Sequence, residues 1–324
     1  MTNDPFFNFT VTWKNHCVKE KNIKIVSIIL QTKALTKHYG KIHAVNELDV
    51  SIEKGEVFGV LGPNGSGKTT TLGMILGVTH PDGGSFEWFD GKYGNHTRTK
   101  VGAIIESPIF YPYMTALDNL KIVAKIKKQD YSDIERVLKL VELWDRRKSS
   151  FKTFSLGMKQ RLAIAAALIG SPEALILDEP TNGLDPQGIA EIRQLIKKIS
   201  KEGVTIILAS HLLDEVQKVC SHVMIMQKGH KLAAGRVEDI LTDKHILELK
   251  ASDIDLLNNA LNELSMITSV RKDRDKIIVE INESGNAEQL NKLLQEKGII
   301  LTHLFAREKS LEKFFLEITN QNHV

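Results

Sequence analysis

The amino-acid sequence predicts an α/β domain followed by a smaller α+β domain. From residue 28 to about residue 227, short β-rich runs alternate with longer segments of helical periodicity, which is the pattern of strands joined by crossover helices. After Gly235 the composition becomes more polar and rich in Asn and Lys, which indicates a second domain. The length of 324 residues is sufficient for both.

These observations divide the chain into three parts. Residues 1–27 form an N-terminal extension whose composition is compatible with disorder and contains no signal peptide pattern. Residues 28–235 form the large α/β domain, with a helical subdomain at about 107–170 and a β-rich edge. Residues 236–324 form the small α+β domain, for which no catalytic constellation is visible.

The individual elements follow from the local patterns. Six candidate strands in the large domain cover residues 28–35, 56–62, 101–105, 173–178, 205–210 and 222–229. A helical insert is expected between residues 114 and 154. In the second domain, strands at 245–250, 276–281 and 299–305 alternate with helices at 253–264, 286–298 and 310–319.

Charge and apolar patterning exclude several functions. The 43 basic and 40 acidic residues are mixed along the chain and give a net charge of +3, so no basic block predicts nucleic-acid binding. Cys17 and Cys220 cannot form a disulfide framework or a familiar metal spacing, which favours a reducing, cytosolic compartment. The apolar runs are shorter than the ~20 residues of a membrane helix, so we expect no span.

A glycine-rich segment provides the first chemistry. GPNGSGKTT follows a predicted strand and precedes a helical run, as a phosphate loop requires. Its glycines let backbone N–H groups point inward at an anion, Lys68 reaches the β and γ phosphates, and the Thr69 hydroxyl ligates Mg²⁺. Thr70 is expected to contact the α-phosphate. The alternative is a glycine-rich turn with a chance lysine. The residues assigned to phosphate binding are Gly62, Pro63, Asn64, Gly65, Ser66, Gly67, Lys68, Thr69 and Thr70.

Two carboxylates end the apolar strand at 173–178. Asp178 fits a Mg²⁺ site, as a direct ligand or through a bound water, and Glu179 can be the general base for the attacking water. By themselves, such acids are often only a solvated turn. His211 follows the strand at 205–210, and alone it is more often a polar residue at a helix start. Because it shares the carboxyl edge of the sheet with Asp178, we include it as a catalytic candidate.

Five motifs in order resemble the ATP-binding-cassette (ABC) ATPases over about 200 residues. They are the phosphate loop, FSLGM at 154–158, ALILDEP at 174–180, GLDP at 183–186 and ASH at 209–211. The resemblance implies a P-loop NTPase fold, ATP and Mg²⁺ as ligands, and a head-to-tail dimer of two cassettes formed in the presence of nucleotide. It also explains a Ser-x-Gly before a smooth apolar helix, which by itself predicts only an N-cap.

The resemblance implies further site residues. Ser155 and the N–H of Gly157 would contact the γ-phosphate bound by the other cassette, as a helix N-terminus suits an anion. Asp185 would cross the dimer interface, His211 would sense the γ-phosphate, and Tyr39 would stack on adenine.

The sequence departs from the family pattern at two places. FSLGM replaces Leu-Ser-Gly-Gly-Gln, although Ser155 and Gly157 remain. Glu106 stands where the family generally has a glutamine that senses Mg²⁺ and the attacking water. A glutamate can ligate Mg²⁺ but adds negative charge near the γ-phosphate, so slower or differently gated hydrolysis is expected.

The combined prediction is the ATPase subunit of an exporter, bound peripherally at the cytoplasmic side of the membrane to a separate permease. The segment ESPIFYPYMTALDNL is similar to cassettes of bacterial drug and peptide-antibiotic exporters of the bacitracin-resistance type. Ile109, Phe110, Tyr111 and Tyr113 are candidate permease contacts, or else core of the helical insert. A soluble ABC ATPase acting on DNA or ribosomes is the alternative, and a non-hydrolysing binding module is a third class.

Overall fold

The computed structural model describes residues 27–105, 109–241, 246–282, 285–306 and 310–321 of the chain. The large domain is built on a six-stranded sheet in the order β5-β6-β7-β3-β8-β9. Its first five strands are parallel and β9 pairs antiparallel with β8 at the edge. The strands are β3 (Val57–Leu61), β5 (Val101–Ile104), β6 (Ala174–Asp178), β7 (Thr205–Ser210), β8 (His222–Gln227) and β9 (His230–Arg236).

A second, antiparallel sheet of three strands in the order β2-β1-β4 forms the β-rich edge of this domain. It contains β1 (Ile28–Tyr39), β2 (Ile42–Glu53) and β4 (Gly83–Trp88). Both faces of the six-stranded sheet are covered. Alternate residues along each strand point to opposite faces and therefore pack in two different hydrophobic cores. Along β3, Val57 and Leu61 pack with the helices, whereas Phe58 and Val60 pack toward the three-stranded sheet.

Among the described residues, six α-helices precede β8 in this domain. They are α1 (Lys68–Ile75), α2 (Ala116–Ile126), α3 (Ser132–Leu140), α4 (Leu156–Leu168), α5 (Pro186–Lys201) and α6 (Leu213–Val219). Helices α2, α3 and α4 form the helical subdomain. Leu120 of α2, Val137 of α3 and Leu162 of α4 are fully buried in one shared hydrophobic core. A short helix, α7 (Val237–Leu241), follows β9.

The second domain has the order strand, helix, strand, strand, helix, strand. Its elements are β10 (Ile246–Ala251), α8 (Ile254–Asn262), β11 (Ile267–Asp273), β12 (Lys276–Ile281), α9 (Ala287–Glu296) and β13 (Leu301–Ala306). The sheet order is β11-β12-β10-β13 with every neighbouring pair antiparallel. Leu247, Leu257, Val279 and Leu290 pack together between the sheet and the two helices. This is a ferredoxin-like arrangement.

The last helix, α10 (Leu311–Gln321), returns to the large domain. Leu311 is fully buried in the same core as α6, and its backbone N–H donates to Oε1 of Gln217 at 3.1 Å. The boundary predicted at residue 236 groups this helix with the second domain, whereas it packs on the first. Its apolar residues recur at helical spacing and pack against the core that contains residues of α6. The position of a helix along the chain does not indicate which domain it packs on.

The six strands predicted for the large domain are all present, and so are the three strands and three helices predicted for the remainder. The sequence patterns did not reveal β2, β4, β9 and β11. These four strands lie in antiparallel pairs, and β9 and β11 are mostly exposed, so they lack the continuous apolar run of a buried strand. Among the described residues, no helix combines the length and the apolar character needed to cross a membrane.

Candidate nucleotide-binding site

The loop between β3 and α1 forms a cradle of close backbone contacts. Gly67, just before α1, has φ +106°, and a Cβ there would lie 2.2 Å from the carbonyl oxygen of Ala44. A Cβ on Gly62 would lie 2.3 Å from the carbonyl oxygen of Met226. Both positions therefore require glycine, and the loop is fixed against β2 and β8 with the first turn of α1 open to an anion.

Lys68 is the first residue of α1 and is only 6% exposed. Its ammonium donates to the carbonyl oxygens of Gly62 at 2.8 Å and Pro63 at 3.2 Å, and lies 3.5 Å from Oε1 of Glu179. A buried cation requires such partners. The geometry places one positive charge beside the backbone of the phosphate loop, and its binding of phosphate oxygens stays a prediction.

Thr69 and Asp178 meet across the edge of the sheet. The Thr69 hydroxyl donates to Oδ2 of Asp178 at 2.9 Å, and Asp178 is buried at the end of β6. A hydroxyl and a carboxylate are the oxygen donors that Mg²⁺ prefers. The hydroxyl of Ser66 is also buried and has no hydrogen-bond partner among the described residues. These features fit a Mg²⁺-bound triphosphate.

Glu179 bridges Lys68 and His211. Its Oε2 lies 2.8 Å from Nδ1 of His211, and its backbone N–H donates to the carbonyl oxygen of Ala209 at 3.0 Å. Glu179 has φ +48°, which for a residue with a side chain costs of the order of 1–3 kcal/mol. The strained backbone turns this carboxylate to the open edge of the sheet, where it can accept a proton from water.

Two of the four motifs outside the phosphate loop, FSLGM and GLDP, provide the N-caps of helices. The Ser155 hydroxyl accepts the Met158 N–H at 3.2 Å at the start of α4, and Asp185 accepts the Gly188 N–H at 2.8 Å at the start of α5. The N-cap predicted for Ser155 is therefore present. In the described part of the chain, no hydrogen bond joins either cap to the phosphate loop.

The segment around Ser155 and the loop before α5 also touch each other. A Cβ on Gly183 would lie 3.3 Å from a methyl group of Leu156, and one on Gly157 would lie 3.9 Å from a methyl group of Leu184. Gly157 is the second residue of α4, and because it has no side chain its backbone N–H is left accessible. The first N–H groups of a helix lack intrahelical acceptors and can bind an anion.

Tyr39 lies at the end of β1, and its ring is half exposed. The Lys37 ammonium lies 5.5 Å from the ring centroid. The same hairpin approaches the phosphate loop through Ala44, so a base stacked on Tyr39 would adjoin the cradle. Thr70 lies in the first turn of α1. Glu106, predicted to sense Mg²⁺, lies outside the described residues.

Sequence reasoning missed Asn119, which shapes the segment following β5. Asn119 is 2% exposed on α2; its Oδ1 accepts the Tyr111 N–H at 2.8 Å, and its Nδ2 donates to the carbonyl oxygens of Tyr111 at 3.1 Å and Thr115 at 3.0 Å. Ile109 and Tyr113 in this segment are 96% and 81% exposed, whereas Phe110 packs on Phe151 at 5.1 Å between ring centroids. A lone asparagine on the buried face of a helix was the available signal.

Comparison with known proteins agrees with this geometry. A family model described as "ABC transporter" matches residues 45–182. The chain is 35% identical over 300 residues to the bacitracin transport ATP-binding protein BcrA of Enterococcus faecalis, covering 91% of this chain and 97% of BcrA. It is 39% identical over 302 residues to BcrA of Bacillus licheniformis, covering 90% and 98%. The lantibiotic transport ATP-binding protein SrtF of Streptococcus pyogenes is 41% identical over 201 residues, covering 62% and 88%.

Solved structures match about two thirds of the chain. The cbiO1 structure from Clostridium perfringens, part of the ABC transporter complex cbiONQ, has a TM-score of 0.61 and 29% identity, covering 66% of this chain and 90% of that one. The dimeric ATP-binding cassette MJ0796 in a post-hydrolysis state with ADP and phosphate has a TM-score of 0.57 and 25% identity, covering 64% and 99%.

Proposed function

Because the chain belongs to the ATP-binding subunits of ABC transporters and is an ATPase, we propose that it powers a separate permease that exports a peptide antibiotic or a related drug. The observation that carries this proposal is the extent of the match to the bacitracin transport proteins, 90–91% of this chain. That match of 300–302 residues is longer than the large domain and extends into the second domain, whereas the solved cassettes cover about two thirds of the chain.

In the proposed reaction, ATP lies in the cradle with its adenine on Tyr39 and its β and γ phosphates at Lys68. Glu179 orients a water molecule and takes its proton as the water oxygen attacks the γ-phosphorus, while the bond to the bridging oxygen breaks. His211 holds Glu179 from the other side at 2.8 Å. A Mg²⁺ ion held by Thr69, Asp178 and Glu106 would neutralise charge on the phosphates.

Two copies of the chain complete the site in this proposal. Ser155 and the N–H of Gly157 at the start of α4 face the γ-phosphate bound by the partner, and Asp185 lies at the interface. The support is their position at two helix starts, which concentrate N–H donors and positive dipole ends. ATP binding then closes the dimer and hydrolysis reopens it, because only ATP offers a γ-phosphate to the opposite cap.

The permease would dock beside the segment that Asn119 holds. Exposed apolar side chains cluster there at Ile109, Tyr111 and Tyr113. A cavity of about 800 Å³ lies between β4, the end of α1 and β5, and Ile75, Phe86 and Val101 are among its lining residues. Exposed apolar groups near a groove are typical of a protein interface. This docking places the chain at the cytoplasmic side of the membrane.

The test is to isolate the chain from its native membrane with ATP and with Glu179→Gln, using an N-terminal tag that leaves α10 free. A copurifying polytopic membrane protein supports the proposal, and a strain lacking both proteins should become more sensitive to bacitracin or a lantibiotic. Loss of that protein with Tyr113→Ser, but not with Ile126→Ser on an exposed site of α2, would locate the contact. Recovery of ribosomes or DNA instead would contradict the proposal.

A further inference from the structure

Helix α10 packs along the large domain through one apolar face. Leu311 is fully buried there, and Phe314, Phe315 and Ile318 pack against the same core. Leu316, on the other side of the helix, is 52% exposed. The spacing of the four packed residues is that of a single helical stripe. The helix is therefore attached by side-chain packing to a domain from which it is separated by about 70 residues of chain, the length of the second domain between α7 and α10.

The packing of α10 on the large domain extends to the vicinity of His211. Helix α6, to which Gln217 and Leu311 bind α10, begins at Leu213, two residues after His211. A cavity of about 330 Å³ beside the phosphate loop is lined by Gly62, Pro63, Asn64, His211, Leu213 and Phe315. The ring of Phe315 thus borders the same space as the first residues of the phosphate loop and His211.

The position of His211 is not fixed by its own burial, because its side chain is 38% exposed. Its described partners are Glu179 through Nδ1 and, through the adjoining backbone, Ser210, whose hydroxyl accepts the Leu212 N–H at 3.0 Å. An exposed imidazole can leave such a hydrogen bond at little cost. Packing near this segment comes from Leu213 and from Phe315 of α10, which pack against the same core and border the same cavity as His211.

We propose that Phe315 is a positioning residue for ATP hydrolysis: through Leu213 and the start of α6, it holds His211 against the Glu179 carboxylate. The second domain is joined to α10 through the chain and is thereby coupled to His211. This inference rests on the role proposed for His211 but needs neither the permease nor the transported substrate.

The first experiment measures position without turnover. Hydrogen exchange of the nucleotide-free protein is followed in residues 205–219 for Phe315→Ala, with Leu316→Ala as the control on the exposed side of α10. We expect faster exchange in Phe315→Ala only, and near-parent exchange in Phe315→Leu, which keeps most of the apolar volume. Unchanged exchange in Phe315→Ala would overturn the proposal.

The second experiment measures hydrolysis. Phe315→Ala should lower kcat by about tenfold, as a small misplacement of a catalytic group does, and leave KM for ATP within about twofold. In a His211→Ala background, Phe315→Ala should cause no further loss, because both changes remove one function. Losses that multiply would overturn action through His211. If His211→Ala alone leaves kcat unchanged, the role proposed for His211 fails, and the exchange result still decides whether α10 fixes the segment.

Discussion

Nδ1 of His211 lies 2.8 Å from Oε2 of Glu179, although 31 residues separate them in the chain. The parallel pairing of β6 with β7 brings their carboxyl ends together, with Asp178 opposite Ala209. The same carboxylate lies 3.5 Å from the Lys68 ammonium through its other oxygen. One side chain therefore links the phosphate loop, the end of β6 and the end of β7, which is where a base must lie to act on water beside a bound phosphate.

Replacing Glu179 with glutamine should stop hydrolysis and keep ATP binding. The amide cannot accept the proton of the attacking water, so we expect phosphate release to fall at least about 100-fold. Phosphate release and equilibrium ATP binding measure the two effects. Glu202→Gln, at an exposed site after α5, should behave as the parent. Turnover above one tenth of the parent rate in Glu179→Gln would argue against this base.

Thr69→Ala should weaken the use of Mg²⁺. The change removes the hydroxyl that contacts Asp178, and we expect the Mg²⁺ concentration for half-maximal turnover to rise about 10- to 100-fold, as when a ligand's support is lost. A Mg²⁺ titration of phosphate release measures this. Thr302→Ala on β13 is the exposed control. An unchanged titration in Thr69→Ala would remove Thr69 from the Mg²⁺ site.

Ser155→Ala should weaken ATP-dependent dimer formation by more free energy than it costs in the stability of the folded chain. In the Glu179→Gln background with ATP, we expect the dimerisation constant to fall about tenfold or more, since a hydrogen bond to a charged group contributes about 1.5–3 kcal/mol. Loss of the cap alone costs about 1 kcal/mol. Asn286→Ala removes the N-cap of α9 in the second domain and is the matched control. Equal dimerisation of both variants in sedimentation experiments would contradict a role in trans.

Glu106→Gln should raise turnover. In the position that the family resemblance implies for Glu106, removal of one negative charge beside the γ-phosphate would relieve roughly 1 kcal/mol of repulsion, which corresponds to about a fivefold increase in kcat. Steady-state phosphate release at saturating ATP and Mg²⁺ is the measurement, and Glu106→Ala separates loss of charge from gain of the amide. Identical kcat for the parent and Glu106→Gln would show that the glutamate does not slow hydrolysis.

Asn119→Ala should destabilise the helical subdomain. It leaves the part-buried backbone N–H and carbonyl group of Tyr111 without their partner, and we expect the free energy of unfolding to fall by about 2 kcal/mol. Asn259→Ala, on an exposed site of α8, controls for the higher helix propensity of alanine. Denaturant unfolding measures both variants. A loss below about 0.5 kcal/mol for Asn119→Ala would mean that water replaces the amide.

Much of the site was predictable because its chemistry is written in short, contiguous segments. The phosphate loop requires glycines, a lysine and a hydroxyl at fixed spacing, and the strand before Asp178 is a continuous apolar run. Both features depend on neighbours along the chain, so the sequence predicts them without a fold. The roles of Ser155, Gly157, Asp185 and Glu106 came from family resemblance and remain proposals.

The sequence by itself determined the α/β class and the buried parallel strands, and it predicted which residues bind phosphate. Only the tertiary structure decided that β2, β4, β9 and β11 are strands, that Asn119 binds the backbone of Tyr111, and that α10 borders the same cavity as His211. A strand without a continuous apolar run is stabilised by pairing with neighbouring strands. The apolar face of an amphipathic helix does not specify the surface on which the helix packs. These features depend on contacts between residues distant in the chain, and a local pattern does not contain them.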